Sequence, residues 1–222
     1  MIGNKKLSLV IPCYNEEDGL TELFKNDLSY IDEIIVVDNN CTDNTVKIAK
    51  DYGARVVEEK KSGYGAAYKK GFKNVTNEII VAMDGDNTYP AGEIKRLVEI
   101  LVERDLDFVS ASRLGDGRPE TMKKVNYLGN IILTKIMKFL FLRQIEDSMT
   151  GMWVFKKEIL SRIKLKSNSM AFTQEIKIEV LKNKFRFAEI RIPYRERLGE
   201  VKLNKWADGI KTLAWLFYKR LF

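Results

Sequence analysis

The chain has 222 residues, enough for one well-buried α/β domain, and a composition 45% hydrophobic and 31% charged excludes a disordered or low-complexity protein. A formal net charge of +7 points to an acidic partner, which leaves nucleic acid, anionic lipid and phosphorylated substrates as classes. There is no histidine, so a general base has to be a carboxylate, a lysine or a tyrosine, and Cys13 and Cys41 lack metal-ligand spacing and read as reduced thiols.

Met1 to Lys6 leads directly into a strand-like run, so no secretory leader is expected. The first strand is predicted over Lys6 to Pro12, ending in Pro-Cys-Tyr-Asn-Glu-Glu, and a helix over Glu17 to Leu28 follows. Glu33 to Asp38 is an unbroken apolar run suited to a strand buried on both faces. The turn-rich Asp38 to Asp43 comes next, with Thr42 or Asp43 capping a helix to Tyr52. Ala54 to Glu58 is a shorter strand, and the basic, glycine-bearing loop Lys60 to Ala67 opens a helix to Phe72.

Ile79 to Met83 is the fourth strand, and it runs into Asp84-Gly85-Asp86-Asn87-Thr88-Tyr89-Pro90. Gly85 is expected to turn the backbone tightly, so that Asp84 and Asp86 converge on one point. Two carboxylates at a buried strand end are hard oxygen ligands, suited to Mg²⁺ or Mn²⁺ together with substrate phosphates. An Asx-turn leading into a helix explains the same residues without a metal. A helix over Ile94 to Arg104 and a strand over Asp107 to Ala111 complete a βα alternation that predicts a parallel, doubly wound sheet with helices on both faces. Ligands of such sheets collect at the carboxyl ends of the strands, where Glu16, Asp38, Asp84, Asp86 and Arg113 all fall.

The second half is less regular. A polar loop, Ser112 to Lys124, carries Arg113, Arg118, Lys123 and Lys124 and precedes a long helix over Val125 to Leu142. Glu146 to Gly151 leads into a strand-like Met152 to Phe155; Phe172 to Asn183 reads as helix, Phe185 to Ile192 as strand, and Lys205 to Leu221 as the last helix. The apolar stretch Leu128 to Leu142 contains Lys135 and Lys138 and is shorter than the ~20 residues that span a bilayer, so membrane contact is expected at the surface only.

Six stretches match one pattern: Ile-Pro-Cys-Tyr-Asn-Glu (11 to 16), Val-Val-Asp-Asn-Asn-Cys-Thr-Asp-Asn-Thr (36 to 45), Gly-Tyr-Gly-Ala-Ala (63 to 67), Met-Asp-Gly-Asp-Asn-Thr-Tyr-Pro (83 to 90), Asp-Ser-Met-Thr-Gly (147 to 151) and Pro-Tyr-Arg-Glu-Arg-Leu-Gly-Glu-Val-Lys-Leu (193 to 203). In these the chain resembles family 2 glycosyltransferases of the GT-A fold, and most of all dolichyl- or polyprenyl-phosphate sugar transferases. The resemblance implies a single GT-A domain over 1–222, with a nucleotide-sugar half (1–111), an acceptor half (112–203) and an amphipathic membrane-surface helix (204–222). It implies an α/β, mostly parallel sheet and transfer of a hexose from a UDP- or GDP-sugar to a polyprenyl phosphate at the cytoplasmic face of a membrane.

The roles it implies are carried residue by residue. Pro12, Tyr14, Glu16 and Asp38 would hold base and ribose; Gly63, Gly65 and Gly85 would let the backbone approach the donor; Asp84 and Asp86, helped by Asn87, would bind Mg²⁺ or Mn²⁺; and Arg197 and Lys202 would grip phosphate. Val201 stands where the family tail usually has serine. Strand-end packing, helix capping and plain glycine turns account for the same residues structurally.

A lipid phosphate is already an anion and needs cations, not a base, which gives Arg113 and Arg118 a role. For a saccharide or protein hydroxyl acceptor, Asp147 or Glu175 would be the base; Asp147 reads equally as a backbone-satisfying residue and Glu175 as a helix-surface charge. Trp206, Ile210, Leu213, Phe217 and Leu221 recur at helical spacing beside Lys211, Lys219 and Arg220, a pattern suited to the headgroup layer or to covering the sheet. The basic residues form no single run with interleaved aromatics, so nucleic acid is not expected as a partner. A membrane-spanning partner protein and self-association both stay open, as does a nucleotide-binding module without turnover.

Overall fold

The computed structural model describes residues 5–114, 117–200 and 205–221. Seven strands form one sheet in the order β3-β2-β1-β4-β6-β5-β7: β1 (Leu7–Cys13), β2 (Glu33–Asp38), β3 (Arg55–Glu58), β4 (Ile79–Ala82), β5 (Phe108–Ser112), β6 (Trp153–Lys156) and β7 (Phe187–Arg191). The helices are α1 (Glu17–Leu23), α2 (Thr45–Asp51), α3 (Tyr64–Asn74), α4 (Glu93–Glu103), α5 (Lys124–Phe141), α6 (Phe172–Lys182) and α7 (Lys205–Leu221).

The sheet separates two apolar layers. On one face Leu9, Ile11 and Val81 pack with Leu20 of α1 and Ile94 and Leu97 of α4. On the other, Val10, Ile35 and Ile80 pack with Tyr68 and Phe72 of α3 and Phe172 and Ile176 of α6. The alternation follows from strand geometry, because successive side chains leave opposite faces and both faces are covered. A third, smaller cluster joins Leu133 and Met137 of α5, Ile178 of α6 and Leu216 of α7.

β6 corrects the expected topology. β5 does not pair with β4; β6 lies between them, antiparallel to both. Trp153, Val154 and Phe155 are all fully buried, and a strand apolar on both faces belongs inside a sheet. The crossover through α4 therefore leaves a one-strand gap, which a segment some forty residues further along fills. α1 ends at Leu23 and not at Leu28, because the Asn26 amide donates to the carbonyls of Glu22 and Leu23 and closes the helix. Asp43, one of the two expected caps, accepts from the Thr45 amide at the start of α2.

In parallel register Cys13 lies opposite Asp38, and Val10 lies opposite Ala82. The carboxyl ends of β1, β2 and β4 are therefore neighbours, and the loops that leave them carry Glu16, Asp38, Asp84 and Asp86 to one edge.

Candidate active site

Asp84 follows β4 and faces α3. Its Oδ1 accepts from the hydroxyls of Tyr64 (2.8 Å) and Tyr68 (3.0 Å), two residues one helical turn apart on α3. Burial of this carboxyl, reinforced by the charge of Asp86, pushes its pKa up to about 7. The tyrosines fix the carboxylate's orientation through Oδ1, and Oδ2 lies against Gly151. A Cβ on Gly151 would sit 2.4 Å from Oδ2 and 2.4 Å from the Tyr64 hydroxyl. Gly151 is held in turn by its amide, which donates to the Tyr89 hydroxyl at 2.6 Å, and by its carbonyl, 3.1 Å from the Tyr68 hydroxyl.

Asp86 is buried and doubly engaged. Its Oδ1 accepts from the amide and hydroxyl of Thr88, and its Oδ2 pairs with Arg197. The same guanidinium reaches Glu16 Oε1 at 2.6 Å. Arg197 arrives there on a strap of chain stitched to the loop after β4: the amides of Arg195 and Leu198 donate to the carbonyls of Thr88 and Asp86. The tight turn in that loop is taken at Asn87, with φ at +68°, and not at Gly85. Gly85 is needed for close packing, since a Cβ would lie 3.1 Å from both Cys13 Sγ and Ile11 Cγ2.

The other expected residues divide. Asp38 sits at the site edge and accepts from the Cys41 amide at 2.8 Å, an Asx-type turn. Tyr14 is exposed and Pro12 half-buried at the end of β1, beside Glu16. Gly63 and Gly65 pack against this protein's own backbone, which their missing side chains admit. A Cβ at Gly63 would be 2.3 Å from the Asn168 carbonyl, and one at Gly65 would be 2.5 Å from that of Ser167. Arg118 is exposed and donates to the Met122 carbonyl at 2.6 Å. Lys202 and Val201 lie outside the described residues, as does the side chain of Trp206.

Asp147 is corrected from base to anchor. It is fully buried, pairs with Arg113 through two parallel bonds (Nε to Oδ2, 2.7 Å; Nη2 to Oδ1, 2.9 Å) and accepts from the amides of Arg113 and Met149. Burial opposes its charge, but the guanidinium outweighs that and holds the carboxyl below the usual range. Arg113 is thereby committed through two nitrogens, and it stacks 5.3 Å over the Tyr194 ring. Beneath the pair, the buried Lys177 ammonium donates to the Asp147 carbonyl, and burial pushes its pKa down to about 8. Glu175 is likewise buried, and it accepts from the amides of Lys166 and Ser167, so it is neither a surface charge nor an available base.

Sequence reasoning missed Tyr64, Tyr68, Tyr89 and Gly151 as the shell of Asp84. Tyr64, Tyr89 and Gly151 lay within quoted stretches, and the four-residue spacing of the two α3 tyrosines was a readable signal.

The donor set suits a cation that arrives with phosphate. Among the described residues no three acidic, cysteine or histidine side chains converge to hold a metal by themselves. Mg²⁺ and Mn²⁺ are usually held by one or two carboxylates, with phosphates and water completing the shell. Asp84, with a carboxylate oriented by two tyrosines, and Asp86 fit that arrangement.

A mixed seven-stranded α/β sheet with an acidic pair at the carboxyl end of its central strand is the GT-A architecture, and the class it defines is glycosyltransferase. The sequence profile of glycosyl transferase family 2 matches residues 8–164, and the chain belongs to that family. It is 33% identical over 206 residues to a dolichyl-phosphate hexose transferase of Haloferax volcanii, covering 91% of this chain and 89% of that protein. It is 30% identical over 219 residues to a dolichol-phosphate mannosyltransferase of Pyrococcus furiosus, covering 90% of this chain but 59% of that one. In fold it resembles glucosyl-3-phosphoglycerate synthase of Mycobacterium tuberculosis, solved with Mn²⁺, UDP and glucosyl-3-phosphoglycerate, at a TM-score of 0.80 and 19% identity over 98% of this chain and 80% of that one.

Proposed function

We propose that this protein moves a hexose from a UDP- or GDP-sugar to the phosphate of a dolichyl or polyprenyl phosphate, at the cytoplasmic face of a membrane. The observation that carries the reading is the Asp84–Asp86 pair at the end of β4, with one carboxylate oriented by two tyrosines and the other neutralised by Arg197. The names of the two relatives, one transferring hexose and one mannose with a dolichyl phosphate, supply the acceptor class.

In this reading Asp84 and Asp86, with Asn87 beside them, would hold Mg²⁺ or Mn²⁺, which would supply charge neutralisation for the departing nucleoside diphosphate. Asp38, Glu16, Tyr14 and Pro12 border the space for ribose and base. Arg197, which here pairs with Asp86 and Glu16, would meet phosphate oxygens of the donor, with Lys202 following it in the chain. On the acceptor side Arg113, held rigid by Asp147, offers Nη1 to an anionic oxygen, and Arg118 adds a second guanidinium. The two carboxylates considered as bases, Asp147 and Glu175, are both buried and engaged, which supports an acceptor that enters as an anion and attacks the sugar carbon without losing a proton.

The test incubates the purified protein with polyprenyl phosphate and a panel of radiolabelled UDP- and GDP-sugars, with Mn²⁺, Mg²⁺ or EDTA, and offers a soluble saccharide alongside. Label entering the lipid phase from one donor, lost on chelation and lost in the double variant Asp84→Ala, Asp86→Ala, is the expected result. Label on the saccharide, or transfer indifferent to EDTA, would overturn it.

A further inference from the structure

No helix among the described residues is long and apolar enough to cross a membrane, yet two of them turn apolar faces outward. On α5 the exposed Val125, Leu128, Ile132 and Phe139 fall within roughly 60° of arc at 3.6 residues per turn, opposite the buried Leu133, Thr134 and Met137. On α7 the exposed Ile210, Ala214, Phe217 and Leu221 do the same, opposite the buried Thr212 and Leu216. Phe139 is 79% exposed and Leu221 75%. Stripes of this kind need a cover. The charges beside them choose it: α5 contains Lys124, Lys135 and Lys138 and no acid, and α7 sets Lys211 and Arg220 against Asp208.

The two helices pack on α6, and where the carboxyl-terminal ends of α5 and α7 reach it a cavity of about 170 Å³ opens. Met137, Ile178 and Leu181 are among its apolar lining residues, and Arg143, Lys182 and Arg220 line it as well. Lys219 also lines it, but its ammonium is already paired with Glu179 at 2.8 Å. The volume is close to that of cavities that hold a benzene-sized group, on the order of 150 Å³, which suits a phosphate with its first carbons and excludes a whole lipid.

We infer that this corner seats the phosphate headgroup of an anionic phospholipid, while the outward stripes of α5 and α7 lie at the acyl boundary of the same bilayer. The inference rests on the membrane-facing part of the proposed function and is independent of its chemistry. A lining that mixes apolar side chains with Arg143, Lys182 and Arg220 matches an amphiphile with an anionic head, and basic residues flanking an apolar helical face match a charged bilayer.

The test is co-sedimentation of the full chain with vesicles of phosphatidylcholine alone or containing about a quarter phosphatidylglycerol, at fixed salt. Binding at least roughly tenfold tighter to the anionic vesicles is expected, with the triple variant Arg143→Gln, Lys182→Gln, Arg220→Gln losing most of that preference. The control Lys135→Gln, Lys138→Gln, which neutralises charges outside the cavity, is expected to lose less. Equal binding to both vesicles or equal losses in the two variants would each overturn the inference. So would a stable dimer in gel filtration with no vesicle binding. Transfer to detergent-dispersed polyprenyl phosphate is expected to be unchanged in the triple variant; if the wild type shows no transfer there, the proposed reaction fails while docking is judged on vesicles alone.

Discussion

Gly151→Ala tests the idea that the orientation of Asp84 depends on a missing side chain 67 residues away in sequence. The added Cβ would lie 2.4 Å from both Asp84 Oδ2 and the Tyr64 hydroxyl, whereas real Cβ contacts essentially never fall under 3.0 Å. Both neighbours, or the Gly151 backbone, must therefore give way by about 0.6 Å at least. None can do so without loss: Asp84 is tied by Oδ1 to two tyrosines, and Gly151 is tied by its amide and carbonyl to Tyr89 and Tyr68. Overpacking together with one weakened bond to a charged group gives an expected destabilisation of roughly 2–4 kcal/mol. A displacement approaching 1 Å at a reacting site costs on the order of a hundredfold in rate. Urea unfolding reads the first effect, and the rate of Mn²⁺-dependent hexose transfer, with donor binding alongside, reads the second. Tyr64→Phe removes one of the two clashing oxygens, so the double variant should be less destabilised than the sum of the singles by about 0.5 kcal/mol or more. A Gly151→Ala protein within about 0.5 kcal/mol of wild type, with unchanged Mn²⁺-dependent binding, would refute the reasoning.

Because the folded-state pKa of Asp84 is raised from 3.8 to about 7, the metal-free folded protein holds a proton that the unfolded chain has released, so stability from this group is greatest at acid pH and falls as pH rises towards 7. Between about pH 5 and about pH 8 the loss should reach up to roughly 3 kcal/mol in urea titrations, and Asp84→Asn should flatten it. Asp147→Ala leaves the Arg113 guanidinium buried without its partner and should cost about 3–5 kcal/mol by the same assay, as a variant at an accessible base would not. Gly65→Ala forces a carbon against the Ser167 carbonyl and the Phe172 side chain and should lower stability by about 1–3 kcal/mol; unchanged stability with weakened donor binding would restore the donor-contact role expected of it.

Much of the fold was legible because it is written in short-range pattern. The unbroken apolar runs at Ile34 to Val37 and Ile79 to Val81 could only be buried strands, and each lies within an observed strand. The acids that follow strand ends had to share one edge once the strands were parallel and adjacent, so Glu16, Asp38, Asp84 and Asp86 were readable as a group. Tertiary structure alone decided the rest, because its partners are distant and any periodicity is silent about them. The antiparallel insertion of β6 answers a gap in the sheet that no local signal records. Arg197 meets Asp86 across 111 residues and Glu16 across 181, and these pairings turn an expected phosphate ligand into the resident counter-charge of the acidic pair. Arg113 and Asp147, read separately as a phosphate ligand and a base, became one ion pair because both side chains are buried at the same place, where a lone charge would be too costly to keep. Local pattern states which residues must leave water; only the packed chain states which of them meet.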